Sequence, residues 1–496
     1  RKDFQEQLSR NEIPDSELKE ICRNPVFLEA LYLASPNLHD EACKWIRSEK
    51  DFSSKEFQKL KQTLLKYYSR ISCRCTPFGL FSGVGLGSFD KLRMAIPVSE
   101  KIRDTKLDMH FLVTLAQHFV QLEEIKTQLL FFSNNSIYKV GRKIRYVEYQ
   151  YSEGKREYII SSAPLSEELQ QILHFSKQGR TIDEITGILV NEETATWEAE
   201  EFVEELISNQ VLVSELEPNV SGNDFLDTII AVLNKIPSND KAEILINIKN
   251  KLNDLDQNIG NPVSKYTEIE SLIKKLNIKY EQKYLFQTDL YDKEQFVLPG
   301  HWKKELKKGI SFLNKITLSH KQSYLEEFKK AFYERFETRE MPLAYVLDTE
   351  IGIGYKQNIA SNGIHSYLED LPLSDFSQKQ VLNLSVNSVQ KILNEKLQEA
   401  LTENRQVIIL TDEDFEGFVE NWNDLPDTVS FMAEIILEKG NEKLCIGNGG
   451  GTSAANLLGR FCSEKAGVQN LTKAITQKEE KLRQTEYGND EILAEI

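Results

Sequence analysis

The chain has 496 residues and a formal net charge of −16, with 40% hydrophobic and 28% charged residues. This composition is typical of a globular protein that buries real cores, and the length indicates about three domains. No run approaches the roughly 20 apolar residues that span a bilayer, and the first residues do not form a signal peptide.

Cysteine and histidine spacing argues against a metal or redox centre. The six cysteines are scattered, and Cys73 and Cys75 have no matching second pair, so a zinc site is not expected. The simple interpretation is reduced thiols in a cytoplasmic protein. The GxGxxG and GxxxxGK[ST] loops that bind nucleotide phosphates are also missing from the sequence. We therefore predict no metal and no bound cofactor.

Charge is unevenly distributed along the chain. Residues 54–76 contain six Lys or Arg against one Glu, and residues 303–339 contain ten against five, so each has a net charge of +5. Residues 181–217 contain eleven acids and no Lys or Arg. Such asymmetry predicts separate surfaces for separate partners, although each run could equally be a solvated helix face.

The first 70 residues have helical periodicity, and the helix that begins near Ser54 carries Arg70 and Arg74 four residues apart. Thr76 and Pro77 should end this helix, because proline disfavours helical backbone at the preceding residue. A glycine-rich strand follows to residue 89, and a further strand is predicted at 93–98. Two arginines at a helix end predict an anion site, since a guanidinium matches carboxylate or phosphate with two hydrogen bonds. The alternative is a basic helix end beside a bulged strand.

The second section, residues 130–217, combines three short strands, three helices and a closing strand, which is typical of a winged helix. DNA binding is the common use of that arrangement, but the eleven acids argue against DNA. An exposed sheet edge beside a helix instead favours capture of an extended peptide as an added strand. A purely structural subdomain remains the alternative.

A polar linker at 218–224 precedes a third section. We predict helices at 225–251 and 266–280, a strand ending at Asp289, and the basic helical region 302–339. A buried strand is predicted at 342–347, further strands at 405–410, 431–437 and 443–446, and a helix from residue 454 that carries Arg460. A last strand is predicted at 491–496. The domains are therefore 1–129, 130–217 and 218–496, in an α+β fold of several subdomains with mixed helices and sheets.

The run from Arg70 resembles the signature of the lantibiotic dehydratases, the LanB family: Arg-x-x-x-Arg-x-Thr-Pro-Phe-Gly-Leu-Phe. Further segments match in the same order, so that the resemblance covers essentially the whole chain: residues 31–36, 107–108, 286–289, 341–354 and 449–461. The resemblance implies an α+β glutamylation region in which residues 130–217 are a winged-helix-like element that recognises a leader peptide.

The activity that the resemblance implies is glutamyl transfer from glutamyl-tRNA to Ser or Thr side chains of a ribosomally made precursor peptide, the first half of lanthipeptide dehydration. The residues that match those implicated in glutamylation are Arg70, Arg74, Thr76, Asp108, Asp289 and Arg460. The arginines would hold tRNA phosphates or the glutamyl carboxylate, Thr76 would donate to a tRNA oxygen, and the aspartates would orient an arginine or bind the α-ammonium. A buried Arg–Asp structural network would need the same residue types.

Surfaces for the two substrates are also predicted. The tRNA should contact the basic runs, with Lys303, Lys304, Lys307 and Lys308 as the test set. The leader should add a strand beside Tyr158, Ile159 and Ile160, against the helix that carries Phe202 and Leu206.

The family's full-length members extend well beyond this chain, so elimination is expected in a missing C-terminal part or in a partner subunit. Other expected partners are a cyclase and a transporter, in a homodimeric cytoplasmic enzyme that could join a biosynthetic complex at the membrane. Two alternatives remain: a peptide–aminoacyl-tRNA ligase without elimination, and a non-enzymatic scaffold that binds the precursor peptide.

Overall fold

In the computed structural model, the described residues are 13–47, 54–90, 100–152, 155–192, 194–218, 222–237, 240–317, 324–355, 386–423 and 425–487. The strands predicted at 93–98 and 491–496 lie outside them. The described part is α+β, with helices and small sheets of two or three strands, as predicted.

Helices and strands are numbered in chain order. The α-helices are α1 Asp15–Cys22, α2 Pro25–Ala34, α3 Pro36–Arg47, α4 Ser54–Cys73, α5 Met109–Gln121, α6 Glu123–Lys126, α7 Glu167–Phe175, α8 Ile182–Gly187, α9 Thr196–Ser208, α10 Phe225–Leu233, α11 Asp240–Asp256, α12 Val263–Lys274, α13 Gly300–Ile316, α14 Tyr324–Phe336, α15 Leu343–Leu347, α16 Ser388–Thr402 and α17 Val468–Tyr487. The strands are β1 Gly87–Asp90, β2 Lys101–Leu107, β3 Phe131–Ser133, β4 Tyr138–Val140, β5 Lys143–Ser152, β6 Lys155–Pro164, β7 Leu212–Ser214, β8 Phe286–Asp292, β9 Phe296–Pro299, β10 Ser430–Glu438 and β11 Asn441–Gly450.

The chain divides into two compact units. The first contains residues 1–135, 165–300 and 454–496, and the second contains residues 136–164 and 301–453. The predicted section 130–217 therefore contributes to both, with β4 to β6 in the second unit and α7 to α9 in the first. Its closing strand β7 pairs antiparallel with β3 in the first unit. The winged helix stays a prediction.

Helices α1, α2, α3 and α4 enclose an apolar core in the first unit. Asn24 caps α2 by accepting hydrogen bonds from the backbone amides of Val26 and Phe27, and Pro25 occupies the first turn, where no amide donor is needed. The inward face of α4 buries Leu64 against Phe27 and the other buried side chains of this core. This packing fixes where α4 ends, three residues before Thr76.

A two-stranded sheet crosses the first unit. Strands β2 and β8 pair antiparallel, in a register that places Asp104 directly opposite Asp289. Side chains of directly opposed residues lie on the same face of a sheet. Both carboxylate residues are buried, at 6% and 7% exposure. Strand β8 continues three residues past Asp289, so this residue does not end its strand as the sequence predicted.

A fully buried ion pair ties β2 to α2. Arg103 Nη1 donates to Glu29 Oε1 at 2.6 Å, and neither side chain is exposed. The Tyr266 hydroxyl donates to Glu29 Oε1 at 2.7 Å and accepts from Arg103 Nη2 at 2.5 Å. Because removal of one partner would leave a buried charge, the pair fixes the position of β2 and therefore of Asp104.

The second unit contains the sheet β4–β5–β6, the hairpin β10–β11 and helices α13 to α16. Tyr138 on β4 donates to Asp348 Oδ2 at 2.6 Å, and Arg145 on β5 lies 3.1 Å from the same oxygen. The backbone amides of Glu350 and Ile351 donate to Asp348 Oδ1 at 2.8 and 3.4 Å. Asp348 therefore fastens the sheet to the turn after α15.

Three further predicted elements differ in the structure. The apolar run 342–347 forms a short helix, α15, because the residue after Pro342 enters helical backbone and a run of this length fits either structure. Residues 405–410 form no strand, and Val407 and Ile409 are 67% and 63% exposed. The segment from residue 454 forms two 3₁₀ turns, Ala454–Leu457 and Gly459–Phe461, instead of an α-helix.

Candidate functional site

The predicted anion site lies at the C-terminal end of α4. Arg70 is in the last turn, and the backbone amide of Arg74 still donates to the Arg70 carbonyl at 3.0 Å. The Arg70 guanidinium stacks on the ring of Phe78 at 4.4 Å, which favours the cation electrostatically. The Arg74 side chain is exposed. The helix end therefore presents one guanidinium held against an aromatic ring and one open to solvent.

Two polar atoms of this site are buried without a partner. Arg70 Nε and Thr76 Oγ1 are inaccessible and make no hydrogen bond within the described residues. Buried polar groups are paired in the great majority of cases, and an unpaired one needs an explanation such as a functional role or a bound group. Arg145 Nε and Arg180 Nε are unpartnered in the same way elsewhere in the described chain, so what distinguishes Arg70 Nε and Thr76 Oγ1 is that both belong to the signature.

The turn after Pro77 is closed by local hydrogen bonds. The Phe78 amide donates to the Ser82 carbonyl at 3.0 Å, and Ser82 Oγ donates to the Cys75 carbonyl at 3.0 Å. Gly79 has a φ of +49°, a left-handed conformation that glycine adopts readily. This turn fixes Phe78 beneath Arg70.

Glycines let the chain after the turn lie directly on β8. A Cβ at Gly83 would be 2.5 Å from the Leu290 carbonyl oxygen, so only glycine fits without a backbone shift. The next residue, Val84, donates to that carbonyl at 2.8 Å and accepts from the Asp292 amide at 2.9 Å. The chain that follows the signature is thereby held against β8 at Leu290 and Asp292, while no hydrogen bond or ion pair within the described residues joins Arg70, Arg74 or Thr76 to Asp289.

Asp289 and Arg460 form an ion pair. Arg460 Nη2 donates to Asp289 Oδ1 at 3.1 Å, while Gln287 Nε2 donates to Oδ2 at 2.9 Å. Only 9% of the Asp289 side chain is exposed, against 53% of Arg460. A buried carboxylate therefore orients a guanidinium whose remaining donors face outward, which suits anion binding.

Asp108 caps a helix in the structure, and its role in glutamyl transfer stays a prediction. Its carboxylate accepts from the His110 amide at 2.8 Å as the N-cap of α5, and its own amide donates to the Leu285 carbonyl at 2.9 Å. Asp108 thus lies at the Phe286 end of β8, whereas Val84 contacts the Tyr291 end. The structure accounts for Asp108 as a helix cap, the structural role that its position at a helix start suggests.

Two carboxylates and a lysine of this region were missed by sequence reasoning. Asp104 is the register partner of Asp289, and Lys465 Nζ lies 3.0 Å from Asp104 Oδ1 and 2.6 Å from Asp256 Oδ2. No motif marks these residues, because the contacts join positions at least 185 residues apart. Burial raises the pKa of the Tyr291 hydroxyl, and the negative charges of the nearby Asp289 and Asp104 raise it further.

The residues predicted to contact tRNA, Lys303, Lys304, Lys307 and Lys308, form a cluster that we call the lysine row. All four are exposed on α13, whose buried side is marked by Trp302. Lys308 makes an exposed i,i+3 ion pair with Glu305 at 3.1 Å. Such a pair contributes little stability, and tRNA binding by the lysine row stays a prediction.

The predicted leader-binding strand lies in β6. It pairs with β5, and no strand within the described residues pairs with its other edge. Tyr158, Ile159 and Ile160 are 65%, 39% and 41% exposed, which is unusual for three consecutive apolar residues. Of the helix residues, Phe202 is half-buried and Leu206 is buried at 6% in the first unit. The structure thus offers an open strand edge, while the contribution of α9 stays a prediction.

Neither a metal cluster nor a membrane-spanning helix occurs in the described part of the chain. No group of three or more His, Cys, Asp or Glu side chains there is arranged to hold a metal ion. Across the same ranges, no helix combines the length and apolar character needed to cross a membrane.

The sequence profile described as "Lantibiotic dehydratase, N terminus" matches residues 23–496. The nisin biosynthesis protein NisB of Lactococcus lactis subsp. lactis is 26% identical over 379 residues, covering 75% of this chain and 37% of that protein. The subtilin biosynthesis protein SpaB of Bacillus subtilis is 24% identical over 485 residues, covering 94% of this chain and 45% of SpaB. The chain therefore spans less than half the length of these relatives.

Solved structures share the fold. The tRNA dependent lantibiotic dehydratase MibB from Microbispora sp. 107891 superposes with a TM-score of 0.72 at 18% identity, covering 92% of this chain and 45% of that one. The glutamylation domain TbtB from thiomuracin biosynthesis superposes with a TM-score of 0.56 at 13% identity, covering 93% and 56%. With a family profile that spans nearly all of its residues, this chain belongs to the lantibiotic dehydratase N-terminal family.

Proposed function

We propose that this chain transfers a glutamyl group from glutamyl-tRNA to Ser or Thr side chains of a precursor peptide. Family membership supports the proposal, and so do the descriptions of MibB as tRNA dependent and of TbtB as a glutamylation domain. The observation that carries it is the pair of buried, unpartnered atoms Arg70 Nε and Thr76 Oγ1 in the signature turn. An incoming oxygen-rich substrate would satisfy both.

The reaction needs positioning more than a cofactor. The Ser or Thr oxygen of the peptide attacks the carbonyl carbon of the glutamyl ester, a new ester bond forms, and the bond to the terminal ribose oxygen of the tRNA breaks. The proton of the attacking hydroxyl ends on that ribose oxygen. Because ester is exchanged for ester, holding the two substrates in line supplies much of the rate. Glutamyl-tRNA is the only co-substrate in this scheme.

The arginines are proposed to hold the anionic parts of glutamyl-tRNA. Arg70, supported by Phe78, and Thr76 would bind one phosphate or carboxylate group through the atoms that lack partners. Arg74 is exposed and would add a second, bidentate contact. Arg460 would contact the same substrate with the donors that Asp289 leaves available.

The remaining substrate contacts are proposed for the second unit. The lysine row would bind tRNA phosphates, which makes the affinity depend on salt through counterion release. The leader peptide would add a strand to the open edge of β6, where backbone pairing supplies affinity and the exposed side chains at 158–160 supply selection. We further propose that another domain or subunit carries out elimination. The chain would form a homodimer and would work in a cytoplasmic complex with a cyclase and a transporter.

A transfer assay tests the function. The chain is incubated with precursor peptide and glutamyl-tRNA, and the peptide is analysed by mass spectrometry; a gain of one glutamyl unit per modified residue is expected. Thr76→Val keeps the shape but removes the hydroxyl, and should lose transfer while binding leader as the wild type does. Thr114→Val, which removes an exposed hydroxyl that donates to the His110 carbonyl of α5, is the matched control and should keep transfer.

A peptide of unchanged mass would contradict the enzymatic proposal and favour the scaffold. A gain that resists mild alkali would identify an amide and favour the aminoacyl-tRNA ligase. Full activity of Thr76→Val would remove Thr76 from the site.

A further inference from the structure

Two buried carboxylates face each other across the sheet that carries the candidate site. Asp104 on β2 and Asp289 on β8 are directly opposed in the antiparallel register, so their side chains share one face. Like charges in this position repel, and burial strengthens the repulsion. Each carboxylate therefore needs its own cation.

Both cations come from one short stretch of chain. Arg460, in the 3₁₀ turn Gly459–Phe461, bonds Asp289 at 3.1 Å. Five residues later, Lys465 lies 3.0 Å from Asp104 Oδ1 and bonds Asp256 Oδ2 at 2.6 Å. Contact with these two carboxylates raises the pKa of Lys465 although its burial opposes this.

No other lysine in the described chain is placed to do this for Asp104. Lys106 is 3.9 Å from Asp104, and it is held at 3.2 Å by Asp224. Without Lys465, the Asp104 carboxylate would keep only a distant, shared cation. Arg460, which is bonded to the directly opposed Asp289, would then have two carboxylates to choose between.

We propose that Lys465 is a positioning residue for glutamyl transfer: by occupying Asp104, it leaves Asp289 as the sole carboxylate partner of Arg460 and so fixes the guanidinium toward the substrate. This inference rests on the proposed function of the same site. Lys465 itself acts through Asp104 and Arg460 and touches no reacting group.

The test uses the full chain with four variants. Lys465→Met removes the charge and keeps an apolar stem, and Lys465→Arg keeps the charge. In the double variant Lys465→Met/Asp104→Asn, the competing carboxylate is removed as well. The control is Lys473→Met, an exposed lysine that lines the same cavity of about 1070 Å³ as Lys465.

The transfer rate at saturating glutamyl-tRNA is the first readout. Lys465→Met should slow it by about 100-fold, because small misplacements of a positioned group have effects of this size. Lys465→Arg and the control should stay near the wild type. The double variant should recover about tenfold or more of the loss, since the two sites are coupled.

Hydrogen exchange of the Gly459–Phe461 turn is the second readout and needs no activity. Lys465→Met should speed exchange there, and the double variant should reverse this. An inactive wild type would overturn the proposed function, while the exchange result would still decide the role of Lys465. Wild-type rate and exchange in Lys465→Met, or a double variant no better than the single one, would overturn the inference.

Discussion

The buried network around Glu29 gives a quantitative test of how the site is supported. Glu29 Oε1 accepts from Arg103 Nη1, the Tyr266 hydroxyl and Asn261 Nδ2 at 2.6, 2.7 and 3.3 Å. Its other oxygen accepts from the amides of Gly260 and Asn261 at 2.6 and 2.9 Å. Five donors thus converge on one carboxylate whose side chain is 0% exposed.

Glu29→Gln should be severely destabilising. A glutamine has a single acceptor oxygen, so in either orientation at least two buried donors would face an NH₂ group, at about 1–3 kcal/mol each. Arg103 would also lose the nearer of its two buried carboxylates and keep only Asp256, whose Oδ1 lies 3.3 Å from its Nε, so the total loss should lie toward the lower end of the about 3–5 kcal/mol that breaking a buried pair costs. We expect the free energy of unfolding of the first unit to fall by about this amount.

Urea titration followed by tryptophan fluorescence measures the loss, in a background where Trp197, Trp302 and Trp422 are replaced by phenylalanine so that Trp45, buried in the core of the first unit, supplies the signal. The control is Glu41→Gln, which breaks the exposed Glu41–Lys44 pair at 3.0 Å and should change stability by less than about 1 kcal/mol. Equal, small effects of both substitutions would refute the reasoning that the network fixes β2.

The two substrate surfaces, the signature turn and the Asp348 network can each be tested by substitution. Arg74→Ala should abolish transfer, and Arg74→Lys should not restore it, because an ammonium group cannot reproduce the planar fork of a guanidinium. Both variants should bind the leader peptide normally in a fluorescence titration. An active Arg74→Lys variant would exclude a bidentate contact. Binding of tRNA should weaken steeply with salt, and changing the lysine row to glutamine should flatten that slope in filter binding; an unchanged slope would make the row a solvated face. Proline at Ile160 should weaken leader binding with unchanged circular dichroism if β6 is the docking edge, because Val147, its partner in β5, donates its own amide to Ser136 Oγ, so the amide of residue 160 faces the open edge and is the donor that is lost; unaltered binding would place the leader elsewhere. Burial alone would raise the pKa of the Asp348 carboxyl, but hydrogen bonds from Tyr138 and the backbone and the charge of Arg145 lower it below the usual value. Asp348→Asn should therefore destabilise the second unit at pH 7, and the difference in unfolding free energy from the wild type should shrink as the pH falls below about 4. A difference that does not depend on pH would contradict this.

Local chemistry in the sequence predicted the elements that position the signature. Pro77 marks the end of α4, and the apolar spacing on that helix predicts its buried face, because both depend on residues within a few turns. The strand edge at 158–160 was predicted from the same kind of local pattern. Predictions from short apolar runs were wrong in two places. The segment at 342–347 fits a helix as well as a strand. The segment at 405–410 has local strand preference but pairs with no other strand in the described residues.

Contacts between distant residues could not be predicted. The sequence contains no sign that Asp104 opposes Asp289, or that Glu29 and Arg103, separated by 74 positions, both bond the Tyr266 hydroxyl. Register and burial are set by the packing of whole elements. The resemblance of motifs identified Asp289 and Arg460, but the residues that hold this pair in place became visible only in the fold.

The most direct test of the central claim follows glutamate itself. Transfer RNA charged with isotope-labelled glutamate is mixed with the chain and its precursor peptide, and the label on the peptide is measured before and after hydroxylamine treatment. We predict that the peptide becomes labelled and that hydroxylamine releases the label, because glutamate is attached to Ser or Thr through an ester. A peptide that stays unlabelled, or a label that hydroxylamine does not release, would contradict the account.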